Sequence, residues 1–253
     1  MTTLGQSWIN LLDRIVKTGT PMAEEGTECL AIKVAFASQA RPDPVLERFG
    51  NRQIMAEMKK VFFAEGPNAL GHSYAGLMRG PGGRNDLQDV IALLRTEPWS
   101  KRAVLTLCGP PNGKVPCINI VQFLIRDNRL QTVYFARGQD VFRKFYADGL
   151  CVASMARTVA KGVGVRVGPV TGFIGSGHIY HSDRDAIEKV LRDGKPFLPK
   201  DAPLMDGEPS TVKPRRRRSS VTAFNHARRQ NANRGSGTGA RTKRAQPRKA
   251  GRK

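Results

Sequence analysis

Two apolar stretches joined by a very short polar connection limit what this chain can fold into. Residues 118–126 (INIVQFLIR) and 130–137 (LQTVYFAR) flank the sequence Asp-Asn-Arg. Because Asp and Asn favour tight turns, this pattern predicts an antiparallel β-hairpin. The first stretch becomes a nearly continuous apolar run, which is typical of a strand covered on both faces. Cys117, which precedes it, therefore stands at the mouth of a rigid strand.

Helical and strand patterns are mixed along the rest of the chain. Helices are indicated where apolar residues recur every three or four positions, and strands where they alternate. This mixture favours a single α+β domain, in which helices flank a mixed, mainly antiparallel sheet. The predicted helices are 4–15, 51–66, 85–96 (with Asn85 as N-cap), 149–162 and 183–193, and the predicted strands are 29–37, 102–108, 118–126, 130–137 and 170–181.

The C-terminal end differs from the rest of the chain in its charge. Residues 213–253 contain 15 of the 42 Lys and Arg residues and none of the 21 Asp and Glu residues. Such a segment has too few apolar side chains to offset its ordering entropy, so we expect disorder. The predicted division is a folded domain, 1–200, and a basic tail, 201–253. The tail is expected to bind nucleic acid or another polyanion, or to be a solubilising or targeting segment.

The cysteines, histidines and apolar segments exclude several classes of protein. The four cysteines form no CxxC pair, and the four histidines are dispersed apart from an HxxH spacing at His178 and His181. This pattern predicts no metal site. No apolar run reaches the length of a membrane span, and the N-terminus lacks the features of a secretory signal. A cytoplasmic protein with reduced thiols and no membrane partner is expected.

Five short motifs occur in an order that is known from one enzyme family. They are SYAGLMR (73–79), TEPWSKR (96–102), Pro116-Cys117, ARGQD (136–140) and GSGHIY (175–180). Each motif alone is unspecific, but together they resemble the thymidylate synthase family. The resemblance covers residues 50–192 well and the first 50 residues weakly. It implies the fold of that family and the transfer of a one-carbon unit to C5 of a pyrimidine nucleotide.

Two positions make the chain more similar to phage deoxycytidylate hydroxymethylase than to thymidylate synthase itself. Ile118 stands where thymidylate synthases have a histidine after the nucleophilic cysteine. Asp148, eight residues after Asp140, stands where they have the asparagine that reads uracil. Enzymes of this family that act on cytidylate have an aspartate there, so the resemblance implies a cytidine monophosphate, dCMP or CMP, as substrate.

The choice of aspartate at position 148 has a physical reason. Uracil offers an N3–H donor and an O4 acceptor, which an amide matches. Cytosine offers an amino donor beside N3, and a carboxylate can accept from the amino group and from a protonated N3. Asp148 therefore favours cytosine. It is also a plausible N-cap of the predicted 149–162 helix, and the two roles are compatible.

Cys117 is the candidate nucleophile. C5 of a pyrimidine is a poor nucleophile, and addition of a thiolate to C6 converts C5 into an enamine carbon. Because a free thiol is only slightly ionised near neutral pH, we expect a nearby cation, Arg137, to lower the pKa of Cys117. The alternative is that Cys117 is a buried core residue without a catalytic role.

The resemblance also implies roles around the base and the one-carbon donor. The co-substrate would be 5,10-methylenetetrahydrofolate, with Asp140 binding its pterin ring. Glu57 would organise water and proton transfers, although alignment from the Phe-Phe-x-x-Gly end of its helix places Lys59 there instead. Tyr74 would handle a proton near C5, or else be a half-buried loop tyrosine.

Further residues are implied for the phosphate and the sugar. Arg137 would bind the substrate phosphate from its own subunit, while Lys101 and Arg102 would reach across a twofold axis into the partner's site. A homodimer is therefore implied; alternatively, Lys101 and Arg102 are a solvated pair at a helix end. His178 and Tyr180 would hold the 3′-hydroxyl group.

The fate of the one-carbon unit depends on access of water. After transfer, a hydride converts the exocyclic methylene into a methyl group, whereas water converts it into a hydroxymethyl group. Thymidylate synthases exclude water with an active-site tryptophan and an apolar C-terminus. Here Trp8 and Trp99 are the only tryptophans, and the chain ends in basic residues. These features favour hydration.

Two positions depart from the family pattern. Glu24 and Glu25 lie where a basic phosphate ligand precedes a Thr-Gly turn, and Gly138 replaces a phosphate-binding serine. A carboxylate would repel phosphate, so another base such as Lys17 compensates or the substrate differs. The main hypothesis is a cytidylate hydroxymethylase. The alternatives are a uridylate hydroxymethylase or thymidylate synthase, and a non-catalytic relative that binds nucleic acid.

Overall fold

The chain forms a mixed α+β fold, as the sequence predicts. The computed structural model describes residues 2–38, 42–65, 73–80, 83–108 and 115–195. The helices are α1 (Leu4–Thr18), α2 (Pro44–Phe49), α3 (Arg52–Phe63), α4 (Tyr74–Leu77), α5 (Asp86–Thr96), α6 (Phe145–Val163) and α7 (Arg184–Gly194). The strands are β1 (Thr20–Met22), β2 (Gly26–Ala37), β3 (Arg79–Gly80), β4 (Arg84–Asn85), β5 (Val104–Thr106), β6 (Ile118–Arg126), β7 (Arg129–Asp140) and β8 (Arg166–Tyr180).

The predicted hairpin lies inside the main sheet. β6 and β7 pair antiparallel, with Arg126 opposite Arg129. Asp127 and Asn128 both have positive φ, 51° and 56°, which is the conformation of a two-residue hairpin turn. The connection is therefore one residue shorter than the sequence pattern indicates, because Arg129 already belongs to β7.

The six strands of this sheet follow the order β1-β2-β8-β7-β6-β5. Every adjacent pair among the described strands is antiparallel except β7 and β8, which are parallel. Parallel neighbours need a long crossover, and α6 provides it between these two strands. The parallel pairing sets Asp140 beside His178, and thereby brings two separate motifs to one end of the sheet.

Several predicted boundaries were wrong, and one of these errors bears on the site. The helix predicted for 149–162 begins four residues earlier, at Phe145, and its N-cap position is Lys144. Asp148 is thus inside the first turn of α6 and is not an N-cap. The helix predicted for 51–66 ends at Phe63. The N-cap prediction for Asn85 is confirmed, because its side chain accepts from the backbone of Gln88.

The two faces of the sheet have different environments. Helices cover the inner face, where Phe36, Phe123 and Ile174 are almost completely buried. On the outer face, one row of paired residues crosses β8, β7 and β6: Phe173, Phe135 and Ile120, with exposed fractions of 44%, 42% and 41%. The prediction that residues 118–126 are covered on both faces was therefore wrong for the isolated chain.

The remaining predictions concern the tail, membranes and metals. Residues 196–253 lie outside the described part of the chain, so both the 1–200 boundary and the disorder of the basic tail stay predictions. Among the described helices, none combines the length and the apolar character needed to cross a membrane. The described residues contain no group of three or more His, Cys, Asp or Glu side chains arranged to hold a metal ion.

Candidate active site

Arg137 anchors the segment that carries Cys117. Its guanidinium group donates to the carbonyl oxygens of Pro116 (Nε, 3.2 Å) and Val115 (Nη2, 2.8 Å). Its backbone N–H donates to the carbonyl oxygen of Cys117 at 2.9 Å. Three consecutive carbonyl groups are therefore tied to one residue of β7. Cys117 is partly exposed, so its thiol is held in place without being sealed in the core.

Tyr74 fixes the other side of Cys117. The Tyr74 hydroxyl group accepts the backbone N–H of Ile118 at 3.1 Å. The Tyr74 ring lies 4.2 Å, centroid to centroid, from the ring of Phe62. Tyr74 begins α4 and is only 2% exposed, so the alternative of a half-buried loop tyrosine was wrong.

Asp148 and Gln139 form a buried hydrogen-bonded pair next to this segment. Gln139 Nε2 donates to Asp148 Oδ2 at 2.7 Å. Gln139 is completely buried and Asp148 is 3% exposed. Burial raises the pKa of Asp148 to about 7, and the hydrogen bond from Gln139 opposes that shift. Asp148 can therefore be a neutral acid or a carboxylate near neutral pH.

The structure does not give Cys117 the lowered pKa that the sequence argument expects. Burial and the nearby Asp148 raise the pKa of Cys117, and Lys144 and Arg137 only oppose that rise. The prediction that cations dominate was wrong, because desolvation of the thiolate and the negative charge of Asp148 outweigh them. Of the two cations, Lys144 has the larger effect. Protonation of Asp148 would remove one of the two main obstacles to forming the thiolate.

Asp140, His178 and Tyr180 lie together at the end of β7 and β8. Asp140 Oδ1 accepts the backbone N–H of Arg143 at 3.0 Å, and His178 is close enough to favour the Asp140 carboxylate. Burial nevertheless raises the pKa of Asp140. The rings of His178 and Tyr180 are 5.4 Å apart in an edge-to-face arrangement. Arg143 packs over the Tyr180 ring and binds Asp183 at 2.9 Å.

Glu57 is not brought to this cluster. Its side chain is half exposed and forms an ion pair with Lys60 at 2.9 Å. Lys59, two positions further on, is the alternative from the second alignment. Burial raises the pKa of Cys151 on α6, and the charge of Lys59 opposes that rise. Cys151 lies one helical turn after Asp148. Lys59 is exposed and thus acts on this helix only through its charge.

Lys101 and Arg102 lie at the surface, directly before β5. Arg102 forms an ion pair with Glu97 at 2.7 Å and its side chain is 71% exposed. The carbonyl oxygen of Lys101 accepts from Gln122 on the outer face of the sheet at 2.9 Å. Both residues are thus exposed, and the Arg102 guanidinium group is paired with Glu97.

The turn that contains Glu24 and Glu25 lies beside Tyr180. The carbonyl oxygen of Glu25 accepts the backbone N–H of His181 at 3.0 Å. Burial raises the pKa of Tyr180, and Asp140 and Glu24 contribute to the rise. The departure from the family pattern therefore places a carboxylate next to the residues predicted to hold the sugar.

Sequence reasoning missed Gln139, Lys144 and Arg143. All three lie between Arg137 and Asp148, inside or directly after the ARGQD motif. A polar residue between Gly138 and Asp140, followed by two consecutive bases, was a detectable signal. Its meaning required knowing that β7 ends at Asp140 and that α6 begins at Phe145.

Comparison with known proteins identifies the family. A model of the thymidylate synthase family matches residues 50–205. The chain is 28% identical over 148 residues to a Methanothermobacter thermautotrophicus protein named after this family, covering 57% of this chain and 67% of that protein. It is 25% identical over 213 residues to a thymidylate synthase of Listeria monocytogenes, covering 79% of this chain and 65% of that enzyme.

These matches agree with the α+β fold. The family model spans more than half of the chain, and the chain therefore belongs to the thymidylate synthase family. The matched segments span about two thirds of the length of both relatives. Neither match distinguishes a cytidylate from a uridylate substrate.

Proposed function

We propose that this protein hydroxymethylates C5 of a cytidine monophosphate, dCMP or CMP, with 5,10-methylenetetrahydrofolate as one-carbon donor. The observation that carries the proposal is a buried carboxyl group, Asp148, with a pKa raised to about 7 and close enough to Cys117 to raise the pKa of its thiol. A titrating acid beside the nucleophile suits a base that exchanges a proton at N3. Family membership supports the underlying C5 chemistry.

The reaction begins at Cys117. The thiolate forms a bond to C6, and the C5–C6 double-bond electrons move so that C5 attacks the one-carbon unit. Bound methylenetetrahydrofolate supplies that unit at the oxidation level of formaldehyde. Loss of the C5 proton and of tetrahydrofolate leaves an exocyclic methylene group on the nucleotide. Water then adds to that carbon and the Cys117–C6 bond breaks, so the sequence needs no oxidant or reductant.

Asp148 reads the base. As a neutral acid it donates to cytosine N3 and accepts from the N4 amino group; as a carboxylate it pairs with an N3-protonated ring. In both cases one proton is shared between the Asp148 carboxyl group and N3 of the base. A carboxylate facing uracil O4 would be repelled, so cytidylate is favoured. Tyr74 and Arg137 support the reaction by holding the backbone on both sides of Cys117.

Hydration is supported by the locations of the two tryptophans. Trp8 is buried under α6, where its indole N–H donates to the carbonyl oxygen of Val141 at 2.8 Å. Trp99 is 72% exposed on the loop before β5. Neither ring is packed over Cys117, so neither provides the apolar cover that would keep water from an exocyclic methylene group.

The residues near Asp140 fit the pterin ring of a folate. A pterin offers an N3–H and a 2-amino group as donors, which a carboxylate binds with its two oxygens. Asp140 Oδ1 accepts the Arg143 N–H, and the residue is 8% exposed. Asp140 would therefore orient the folate, while His178 and Tyr180 would hold the sugar.

A homodimer is supported by the outer face of the sheet. Phe135, Phe173 and Ile120 form a half-exposed apolar row there, which a second copy could cover. Lys101 and Arg102 lie beside that face, in a position from which they could reach the phosphate in the partner's site. We expect Phe135→Asp to produce monomers and to abolish turnover, as measured by sedimentation and activity. Monomers with full turnover would contradict this assignment.

The basic tail is proposed to contact nucleic acid or another polyanion. Deletion of residues 213–253 is expected to leave turnover unchanged and to abolish salt-sensitive binding to a DNA or RNA oligonucleotide. If deletion abolishes turnover as well, the tail belongs to the enzyme reaction.

Release of tritium from C5-labelled nucleotides tests the main proposal. The chain is incubated with methylenetetrahydrofolate and CMP, dCMP, UMP or dUMP, and the products are identified by mass. We expect release and a hydroxymethyl product from CMP or dCMP, and no release with Cys117→Ser; Cys29→Ser is the matched control. Preferential release from dUMP with a methyl product would instead identify a thymidylate synthase.

A further inference from the structure

The Gln139–Asp148 pair contains two atoms whose hydrogen bonding is incomplete. Gln139 Oε1 and Asp148 Oδ1 are buried and have no hydrogen-bond partner within the residues that the structure describes. Buried polar atoms are nearly always paired, so such exceptions occur where a ligand or water completes the bonding. The same two side chains are joined by the 2.7 Å hydrogen bond from Gln139 Nε2 to Asp148 Oδ2. The pair therefore has the properties of an incomplete ligand site.

A neutral carboxyl group does not by itself distinguish cytosine from uracil. With its proton on one oxygen, it donates toward N3 and accepts from the N4 amino group. With its proton on the other oxygen, it accepts from uracil N3–H and donates to O4. Selectivity thus requires something that decides which oxygen carries the proton.

Gln139 supplies that asymmetry. Its Nε2–H group points at Asp148 Oδ2, and an oxygen that accepts a hydrogen bond is favoured as the carbonyl oxygen. The proton of the neutral acid is then favoured on Oδ1. We propose that the unpaired oxygen, Asp148 Oδ1, is the one that faces N3 of the base, and that Gln139 is a positioning residue that keeps the proton on this oxygen and thereby fixes the carboxyl group in its cytosine-reading form. This inference rests on the proposed function.

The electrostatic surroundings agree with this role. The hydrogen bond from Gln139 lowers the pKa of Asp148 against the larger effect of burial, which raises it. Loss of the bond should therefore move the titration of Asp148 to higher pH. The titratable groups that interact with Asp148 are Tyr74, Cys117, Tyr134, Asp140, Lys144 and Cys151.

Gln139→Met tests the inference, because methionine preserves the length of the side chain and removes the donor. The ratio of kcat/KM for CMP or dCMP to that for UMP or dUMP should fall by roughly tenfold, the effect of one lost hydrogen bond. The dissociation constant of the cytidine nucleotide is measured by calorimetry from pH 5.5 to 9. Its increase toward alkaline pH should begin at a higher pH than in the wild type, because the pKa of Asp148 is higher without the hydrogen bond. Gln131→Met, the same change elsewhere on β7, should alter neither quantity.

Gln139→Glu provides the conservative comparison. A protonated glutamic acid can still donate to Asp148 Oδ2, whereas an ionised one repels it. Cytidylate preference should therefore be restored at the acidic end of the range and lost at the alkaline end. This variant also carries the test if Gln139→Met does not fold.

The outcomes separate the inference from the proposed function. If the wild type acts on cytidylate and Gln139→Met keeps both the base preference and the pH midpoint, the inference is wrong and the function stands. Equal losses for both bases with an unchanged pH midpoint would mean that Gln139 is only structural, which also overturns the inference. If the wild type neither binds nor converts any cytidine nucleotide, the proposed function itself fails, and the inference fails with it.

Discussion

The two halves of the candidate site are held by different means. The thiol half, Cys117 with Tyr74 and Arg137, is fixed through hydrogen bonds to the backbone and remains partly open. The carboxyl half, Gln139 with Asp148, is fixed by one side-chain hydrogen bond and is buried. In the proposed function this difference is useful, since a nucleophile must reach its substrate, whereas a base-reading acid benefits from a low-dielectric surrounding that keeps its proton.

The two halves are also coupled by charge. Asp148 raises the pKa of Cys117, so ionisation of either group opposes ionisation of the other. Desolvation is the main cause of the raised pKa in both groups. A cytosine ring that shares a proton with Asp148 would remove this repulsion at the moment of binding. In the proposed function, binding of the base would therefore favour formation of the thiolate.

The largest expected effect concerns the carboxyl half and the stability of the fold. The folded-state pKa of Asp148 is about 7, compared with an ordinary value of 3.8. The folded chain thus holds this proton over a pH range in which the unfolded chain loses it. Its contribution to the unfolding free energy is fully present below pH 3.8 and is lost as the pH rises to 7, in total about 4 kcal/mol.

Asp148→Asn should remove that component, because asparagine does not titrate. Urea unfolding at pH 5 and pH 8 is the appropriate measurement, with the exposed Asp89→Asn as control. We expect the wild type and the control to lose stability toward pH 8 by more than Asp148→Asn does. Identical pH dependence in all three proteins would show that Asp148 is not a buried acid with a raised pKa.

The second prediction separates stability from function in the thiol half. Tyr74→Phe leaves the buried N–H of Ile118 without its acceptor and should cost about 1–3 kcal/mol of unfolding free energy. Tyr146 is a matched control, since its hydroxyl group accepts the backbone N–H of Asn51 at 3.1 Å. Both variants should be destabilised, but only Tyr74→Phe should change the rate at which iodoacetamide alkylates Cys117. Equal alkylation rates would mean that Tyr74 does not position the thiol.

The smallest expected effect concerns Lys144. It is the cation that most strongly opposes the raised pKa of Cys117. Lys144→Met should raise the pKa of Cys117 further and slow its alkylation at pH 7.5 by about threefold, as expected for one partly screened charge. Lys161→Met, at the other end of α6, serves as control. A rate equal to that of the control would contradict the prediction and would leave Arg137 as the cation that opposes the raised pKa of Cys117.

Much of the fold followed from local patterns. All five predicted helices and all five predicted strands occur, because amphipathic periods and turn residues act over short distances. Their ends were less accurate, and the start of α6 was the error with consequences. The Asp148-Gly149 step suggests an N-cap, but three residues of α6 precede Asp148.

The sequence by itself determined which residue types gather in the candidate site. Cys117, Arg137, Asp140, Asp148, His178 and Tyr180 could be selected from motif order, and family membership is now established. The individual role of each of these residues is part of the proposed function. Glu57 and Lys59 could not be distinguished, because residues two positions apart in a helix lie about 200° apart around its axis and the two alignments of this helix differ by that shift.

Only the tertiary structure decided the electrostatics. The direction of the pKa shift of Cys117 depends on its burial and on a carboxyl group 31 positions away in the sequence. The partnership of Gln139 with Asp148 depends on how β7 meets α6, which no local pattern encodes. Residue identity is a local property, whereas desolvation and through-space charge interactions depend on every element packed around a group.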